Sequence, residues 1–188
     1  MFRLKFPRAF VVALALLSML ILSPANAAVV RQAELSELVS ISDIVVHALV
    51  SQTYSGEQKG FFTGIEIEIL SLLKGSPTDL DAMTLELPGG NRGRQRQELS
   101  GMPVLVPGDE VVLLLERTPQ GRHIFTGLGQ GVFFVLRGEN RILAIRDLGP
   151  LMLVSPKGEH IHGEDVVDKV LDLGALLKRI RELVGTNP

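Results

Sequence analysis

From Phe61 to Leu73 the chain switches character at every step: Ile65, Ile67 and Ile69 fall on one side of an extended backbone, Glu66 and Glu68 on the other. That is the period-two pattern of a strand with one dry and one wet face. It closes at Lys74-Gly75-Ser76-Pro77, a strong turn signal. A second segment, Asp109 to Glu116, is apolar at every position from Val111 to Leu115, so it is expected to be covered on both faces.

Shorter extended runs surround these two. Ile44 to Val50 is β-branched and apolar, and Met83 to Leu87 stops at Pro88-Gly89-Gly90. After Gly121 come His123 to Thr126, Val132 to Leu136, Ile142 to Ile145 and Met152 to Val154, each bounded by turn residues. Several short strands with regular Gly and Pro punctuation predict a small barrel or sandwich. Helical spacing occurs only at the ends. Leu35, Leu38 and Val39 predict a short helix over 30–41. Leu171, Leu173, Leu176, Leu177, Ile180 and Leu183 predict a tail helix over about 166–184, with Asp172 as N-cap and Gly185 as stop. Between Asn91 and Gly108 no period is visible, and an irregular connection is expected.

The first 27 residues read as a secretory signal peptide. Arg3, Lys5 and Arg8 precede an apolar run from Ala9 to Leu22, and Ala25-Asn26-Ala27 offers an A-x-A cleavage site. The run is 14 residues, short of the roughly 18–20 a spanning helix needs. Residues 28–188 are then one exported domain, in the periplasm or outside the cell, with no stable membrane insertion after cleavage. The leader holds three of the 19 basic residues and none of the 21 acidic ones, so the remaining 161 of 188 residues carry a net charge of −5. Nucleic acid is a poor partner for such a chain, because phosphate neutralisation needs clustered positive charge. With no cysteine, thiol nucleophiles, thiolate metal sites and lipoprotein attachment are excluded. No tryptophan and few aromatic residues argue against stacking platforms for glycans or single strands.

From Leu35 to about Val135 the order of motifs resembles a group of uncharacterised secreted bacterial proteins. The shared elements are the helix ending Ser42-Asp43 before Ile44-Val45-Val46, the strand Ile69 to Gly75, the Pro88-Gly89-Gly90 turn, and Pro107 through Leu115. More distantly the same order is similar to the netrin-like module, which includes the tissue inhibitors of metalloproteinases. The resemblance implies an OB-like or netrin-like barrel flanked by a short N-terminal helix and a C-terminal helix. It implies no activity. In those inhibitors an N-terminal Cys chelates the protease zinc, and this chain has none, so no functional residue is carried over.

Two constellations stand out for chemistry. Arg92, Arg94 and Arg96 alternate in Arg92-Gly93-Arg94-Gln95-Arg96. In an extended chain their guanidiniums point the same way, a fork suited to a carboxylate, sulfate or phosphate; the simpler reading is a solvated loop. His160 and His162 share one face if their segment is a strand, with Glu164 or Asp165 close by for zinc or copper. A solvated polar loop is the preferred reading there too. Gly127-Leu128-Gly129-Gln130-Gly131 is followed by the strand-like Val132 to Val135 rather than by the helix a phosphate loop requires, so its glycines predict a bulge or corner. His47 reads as a satisfied or edge histidine, and no G-x-S-x-G or H-E-x-x-H motif occurs.

The functional expectation is an exported, non-enzymatic protein-interaction module that modulates or accompanies a secreted enzyme. An exported protein is its partner, no cofactor is needed, and the arginine loop with the adjoining barrel rim forms the contact surface. The alternative is a small-ligand or metal-binding carrier centred on His160 and His162. A hydrolase on an unfamiliar scaffold is a third reading. N-terminal sequencing of the exported product is expected to start at Ala28; a product retaining Met1 overturns the signal-peptide assignment.

Overall fold

The structure is a computed structural model describing residues 28–56, 61–76, 83–166 and 169–186. The signal-peptide assignment and Pro77 of the expected turn lie outside the described residues. The chain is mainly β, and among the described residues no helix is long and apolar enough to cross a membrane.

The elements run β1 (Ala28–Arg31), α1 (Leu35–Ile41), β2 (Ile44–Gly56), β3 (Phe62–Lys74), β4 (Thr84–Pro88), β5 (Gly90–Arg92), β6 (Gln95–Gln97), β7 (Glu110–Arg117) and β8 (His123–Phe125). They continue with β9 (Val132–Arg137), β10 (Ile142–Ile145), β11 (Leu151–Val154), β12 (His160–His162), β13 (Val170–Asp172) and α2 (Leu173–Gly185). The principal sheet follows the order β13-β10-β9-β7-β2-β3-β4, with β8 sharing an edge of β7. Among the described residues this path is open: no backbone pairing joins β4 to the far side and closes a barrel. Three register shifts between β2 and β3, at Val45/Val46, His47/Ala48 and Val50/Gln52, bend and twist the long hairpin.

Side-chain alternation divides the core into two layers. On one face Ile44, Val46 and Ala48 of β2 join Val111, Leu113 and Leu115 of β7, together with Ile65, Leu85, Leu105 and Phe125. On the other, Val45, Val112, Leu114 and Phe133 pack beneath Leu38 and Val39 of α1 and Leu173, Leu176 and Ile180 of α2. The apolar run of β7 is therefore buried on both sides, as its composition predicts. A third, smaller cluster lies under the satellite sheet β1-β11-β12.

Several boundaries differ from the expectations. Residues 28–31 are a strand, because β1 pairs in parallel with β11 from Ala28↔Leu151 to Arg31↔Val154. The first helix accordingly starts at Leu35. Leu171 belongs to β13, paired with Ala144, so the tail helix starts at Leu173, where the Asp172 side chain accepts from the Ala175 backbone N–H at 3.0 Å. That is N-capping, with the residue the sequence named. Gly127 to Gly131 make a corner rather than a phosphate loop: a 3-10 turn over 128–131 leads into β9. A Cβ on Gly131 would lie 2.3 Å from the Thr126 carbonyl oxygen.

Two buried polar side chains fasten the periphery. The Ser42 hydroxyl is bonded to the Leu38 carbonyl at 2.6 Å and to the Thr126 hydroxyl at 2.9 Å. Gln130 Oε1 accepts from the Ala33 N–H at 2.9 Å, and its Nε2 donates to the Arg31 carbonyl at 3.0 Å. Truncating Leu114, buried on its strand between sheet and helices, is expected to cost about 2–5 kcal/mol in urea unfolding. Leu136→Ala, on the exposed side of β9, should cost under about 0.5 kcal/mol. Equal losses would refute the two-layer assignment.

Candidate functional site

A groove of about 790 Å3 opens between the end of the β2–β3 hairpin, the β5–β6 hairpin and the segment over 98–106. Its floor includes Ile65, Leu87 and Leu105, all core residues. Its walls are fixed from several sides. The Tyr54 ring covers Gly64, its cross-strand partner, where an added Cβ would lie 2.2 Å from the ring. Gly89 N–H donates to the Phe61 carbonyl at 3.0 Å, and Thr63 Oγ1 donates to the Gly89 carbonyl at 3.1 Å.

The opposite wall has no regular structure, yet it is tied at both ends. Gly129 N–H donates to the Gly101 carbonyl at 3.0 Å, and Gly108 N–H to the Val50 carbonyl at 2.8 Å. The Asp109 carboxylate accepts from Val106 N–H at 2.8 Å. Gly101 has a φ of +78° and lies against Leu151, whose Cδ2 would stand 2.2 Å from an added Cβ, so glycine is required twice over. Between these ties Leu105 points into the core while Val104 and Val106 point out, 69% and 51% exposed.

Arg92, Arg94 and Arg96 lie on an exposed two-stranded ribbon, not on an irregular loop. The register pairs Asn91 with Arg96 and Arg92 with Gln95 across the turn Gly93-Arg94. Directly opposed residues share a face and neighbours alternate, so Arg92 and Arg96 occupy opposite faces. The turn, with Gly93 at φ +58°, breaks the extended run that would have aligned all three. Of the three, Arg96 lines the groove, where it forms an ion pair with Glu98 at 2.5 Å.

His160 and His162 are on β12 and share one exposed face, as the strand reading required. No cluster of three or more His, Cys, Asp or Glu side chains able to hold a metal occurs among the described residues, so the pair gathers no third ligand there. Glu164 and Asp165 sit in the following 3-10 turn.

One polar constellation was beyond the reach of sequence reasoning. His47 on β2, Glu110 on β7 and Arg137 on β9 form a continuous row across three neighbouring strands. His47 Nε2 lies 2.7 Å from Glu110 Oε1, and Arg137 grips the same carboxylate with Nε and Nη2, both at 2.7 Å. The Glu110 side chain is only 12% exposed. Burial alone would push its carboxyl upward, but the Arg137 and His47 hydrogen bonds, reinforced by charge, outweigh it and hold the group below its ordinary value. The same pairing raises Arg137. The sequence reads His47 as a satisfied or edge histidine of an apolar strand, but nothing local names partners 63 and 27 positions apart in the chain.

The sequence matches no family model and no curated protein.

Because the folded Glu110 binds its proton more weakly than the unfolded one, the row adds stability above the ordinary carboxylate value of 4.5 and loses it as pH falls through the lower folded value. Glu110→Gln is expected to cost about 1–2 kcal/mol at pH 7. The gap to the parent should close in acid unfolding series below the carboxylate range. A gap that persists or widens in acid would rule out an ionised Glu110 as the source.

Proposed function

We propose that this chain is an exported, non-enzymatic interaction module that receives an apolar segment of another exported protein in the groove beside 98–106. The observation that carries it is the outward pair Val104 and Val106, set on a wall whose neighbours anchor it to the core. Two apolar side chains exposed side by side at the edge of a concavity support an interaction surface there. A wall fixed before binding loses little further entropy when a partner arrives.

The arginine ribbon takes a revised part in this proposal. Arg96 belongs to the groove and offers its guanidinium to a carboxylate of the partner in exchange for Glu98. Arg92 and Arg94 stand at the rim, where they affect association rate more than residence time. A secreted enzyme remains the partner we favour, with the chain modulating or accompanying it in the periplasm or outside the cell. We also read the scaffold as OB-type. The bulged β2–β3 hairpin supports that reading, as does Arg122, whose guanidinium reaches Glu86 of β4 at 3.5 Å and draws the β8 region towards β4 without backbone pairing.

The test compares the parent with Val104→Asp/Val106→Asp and with Arg92→Ser/Arg94→Ser, each immobilised and exposed to the host's exported fraction. One protein retained by the parent, retained at least tenfold less by the aspartate variant and two- to fivefold less by the serine variant, with melting temperatures unchanged, is the expected result. Retention indifferent to the aspartates, or no retained protein at all, overturns the groove as the contact surface.

A further inference from the structure

The strand β12 ends the satellite sheet. It pairs with β11 on one side, and among the described residues no strand pairs with its other side. The register sets Val154 against His160, Leu153 against Ile161 and Met152 against His162. Just beyond this ladder Ser155 N–H donates to the Glu159 carbonyl at 2.8 Å. The Val154 carbonyl instead turns to the β1 side, where it accepts from Gln32 N–H at 2.8 Å. Opposed residues of an antiparallel pair alternate between bonded and unbonded, so Leu153 and Ile161 exchange bonds while His160 and His162 do not bond to β11. The N–H and C=O groups of both histidines therefore point along the open edge. Their imidazoles share one exposed face, and Ile161 between them packs on the cluster beneath the sheet.

We infer that two copies of this chain join through their β12 edges around one zinc ion, held by His160 and His162 of each copy. A single chain offers half of the tetrahedral set that zinc takes, and the described residues supply no third ligand. A two-fold axis between the two Ile161 residues supplies the other half. It sets His160 of one copy opposite His162 of the other, twice. In this register each opposed histidine pair exchanges two N–H···O=C bonds, so the outward donors and acceptors of both edges satisfy one another. An axis normal to the sheet also keeps all four imidazoles on one face. Opposed Cβ atoms then lie about 5 Å apart and successive ones along each strand about 7 Å, a spacing from which imidazole nitrogens can converge on one ion. Imidazole ligands suit zinc rather than calcium or magnesium, which take oxygen. The backbone pairing cannot hold two copies unaided. Three residues a side fall far below the roughly 1,200 Å2 that stable interfaces bury, and so short an edge strand resists pairing by itself. Association is therefore conditional on the metal.

Sedimentation of the untagged protein in zinc chloride, magnesium chloride and EDTA, with zinc uptake followed by calorimetry, tests this. The protein is expected to be monomeric in EDTA and magnesium and dimeric in zinc, with one ion bound per two chains. His160→Ala and His162→Ala, both at exposed positions, should each lower zinc affinity by about tenfold or more and leave the protein monomeric. Because the chain has no cysteine, Ile161→Cys reads the register. The two thiols would face each other at an unbonded pair, with Cα atoms about 4.5 Å apart, inside the range a disulfide spans. Mild oxidation should yield a covalent dimer in zinc and at least tenfold less in EDTA. No zinc uptake, zinc bound without association, or a zinc dimer indifferent to the histidine variants would each overturn the assignment. A zinc dimer of folded Ile161→Cys that does not cross-link overturns the edge pairing. If that variant fails to fold, the zinc stoichiometry and the histidine variants decide the matter.

Discussion

The pairing of β2 with β7 is the constraint on which the rest of the structure depends. Ile44 to Leu49 run antiparallel to Leu115 to Glu110, and both strands are buried on their two faces along most of this length. Water cannot compete for hydrogen bonds so enclosed, and every buried N–H and C=O left unpaired would be costly. The pair therefore has one acceptable register. A slip by one residue would carry Val112 and Leu114 to the wrong layer and bring Glu110 out of line with His47 and Arg137. The charged row thus sits at the end of the ladder where β9 joins it, pinning three strands with one carboxylate.

Two layers built on one sheet create the need for covers, and the covers are held by few, specific bonds. On the helix side, α1 is only seven residues long, too short to be stable by itself. Its Leu38 and Val39 are buried under α2, and its end is fastened by Ser42 to Thr126. The satellite sheet reaches the body through Gln130, which satisfies the backbone that leaves β1 on its way to α1. A leucine at position 130 would keep the volume and lose three bonds to the backbone of Arg31, Ala33 and Gly127.

The parts legible in the sequence are those whose signal is local. The alternation of β3, the two-sided apolarity of β7 and the Asp172 cap each depend on residues within a turn or two, and each occurs where expected. The second half of β1, Val30 and Arg31, was misread as the start of the helix because nothing local distinguishes the two periods there. What decides is β11, more than a hundred residues downstream. The ribbon carrying Arg92, Arg94 and Arg96 was misread as irregular because all eight of residues 91–98 are exposed. A hairpin with no dry face leaves no hydrophobic period to detect. The same exposure explains why the arginines are so poor a guide to their own geometry: alternation predicts a shared face only until the chain turns, and here it turns between them.

The groove and a smaller cleft at the start of α2 arise at joints between these covers, where packing is incomplete for a geometric reason. A bulged, twisted sheet departs from the flat face that a helix or an extended segment could cover completely, so gaps collect at the start of α2 and along 98–106. The two differ in what fills the gap. Along 98–106, Leu105 is the anchor and its neighbours Val104 and Val106, forced outward by the same alternation, become the exposed surface. A segment that buries one side chain in this way displays the two beside it. Near α2 the residue turned inward by alternation is Arg146, a charge where the pattern of Ile142 and Ala144 calls for an apolar side chain. Leucine there would complete the core with no desolvated cation, and burying a guanidinium is expensive even when it is stacked and bonded.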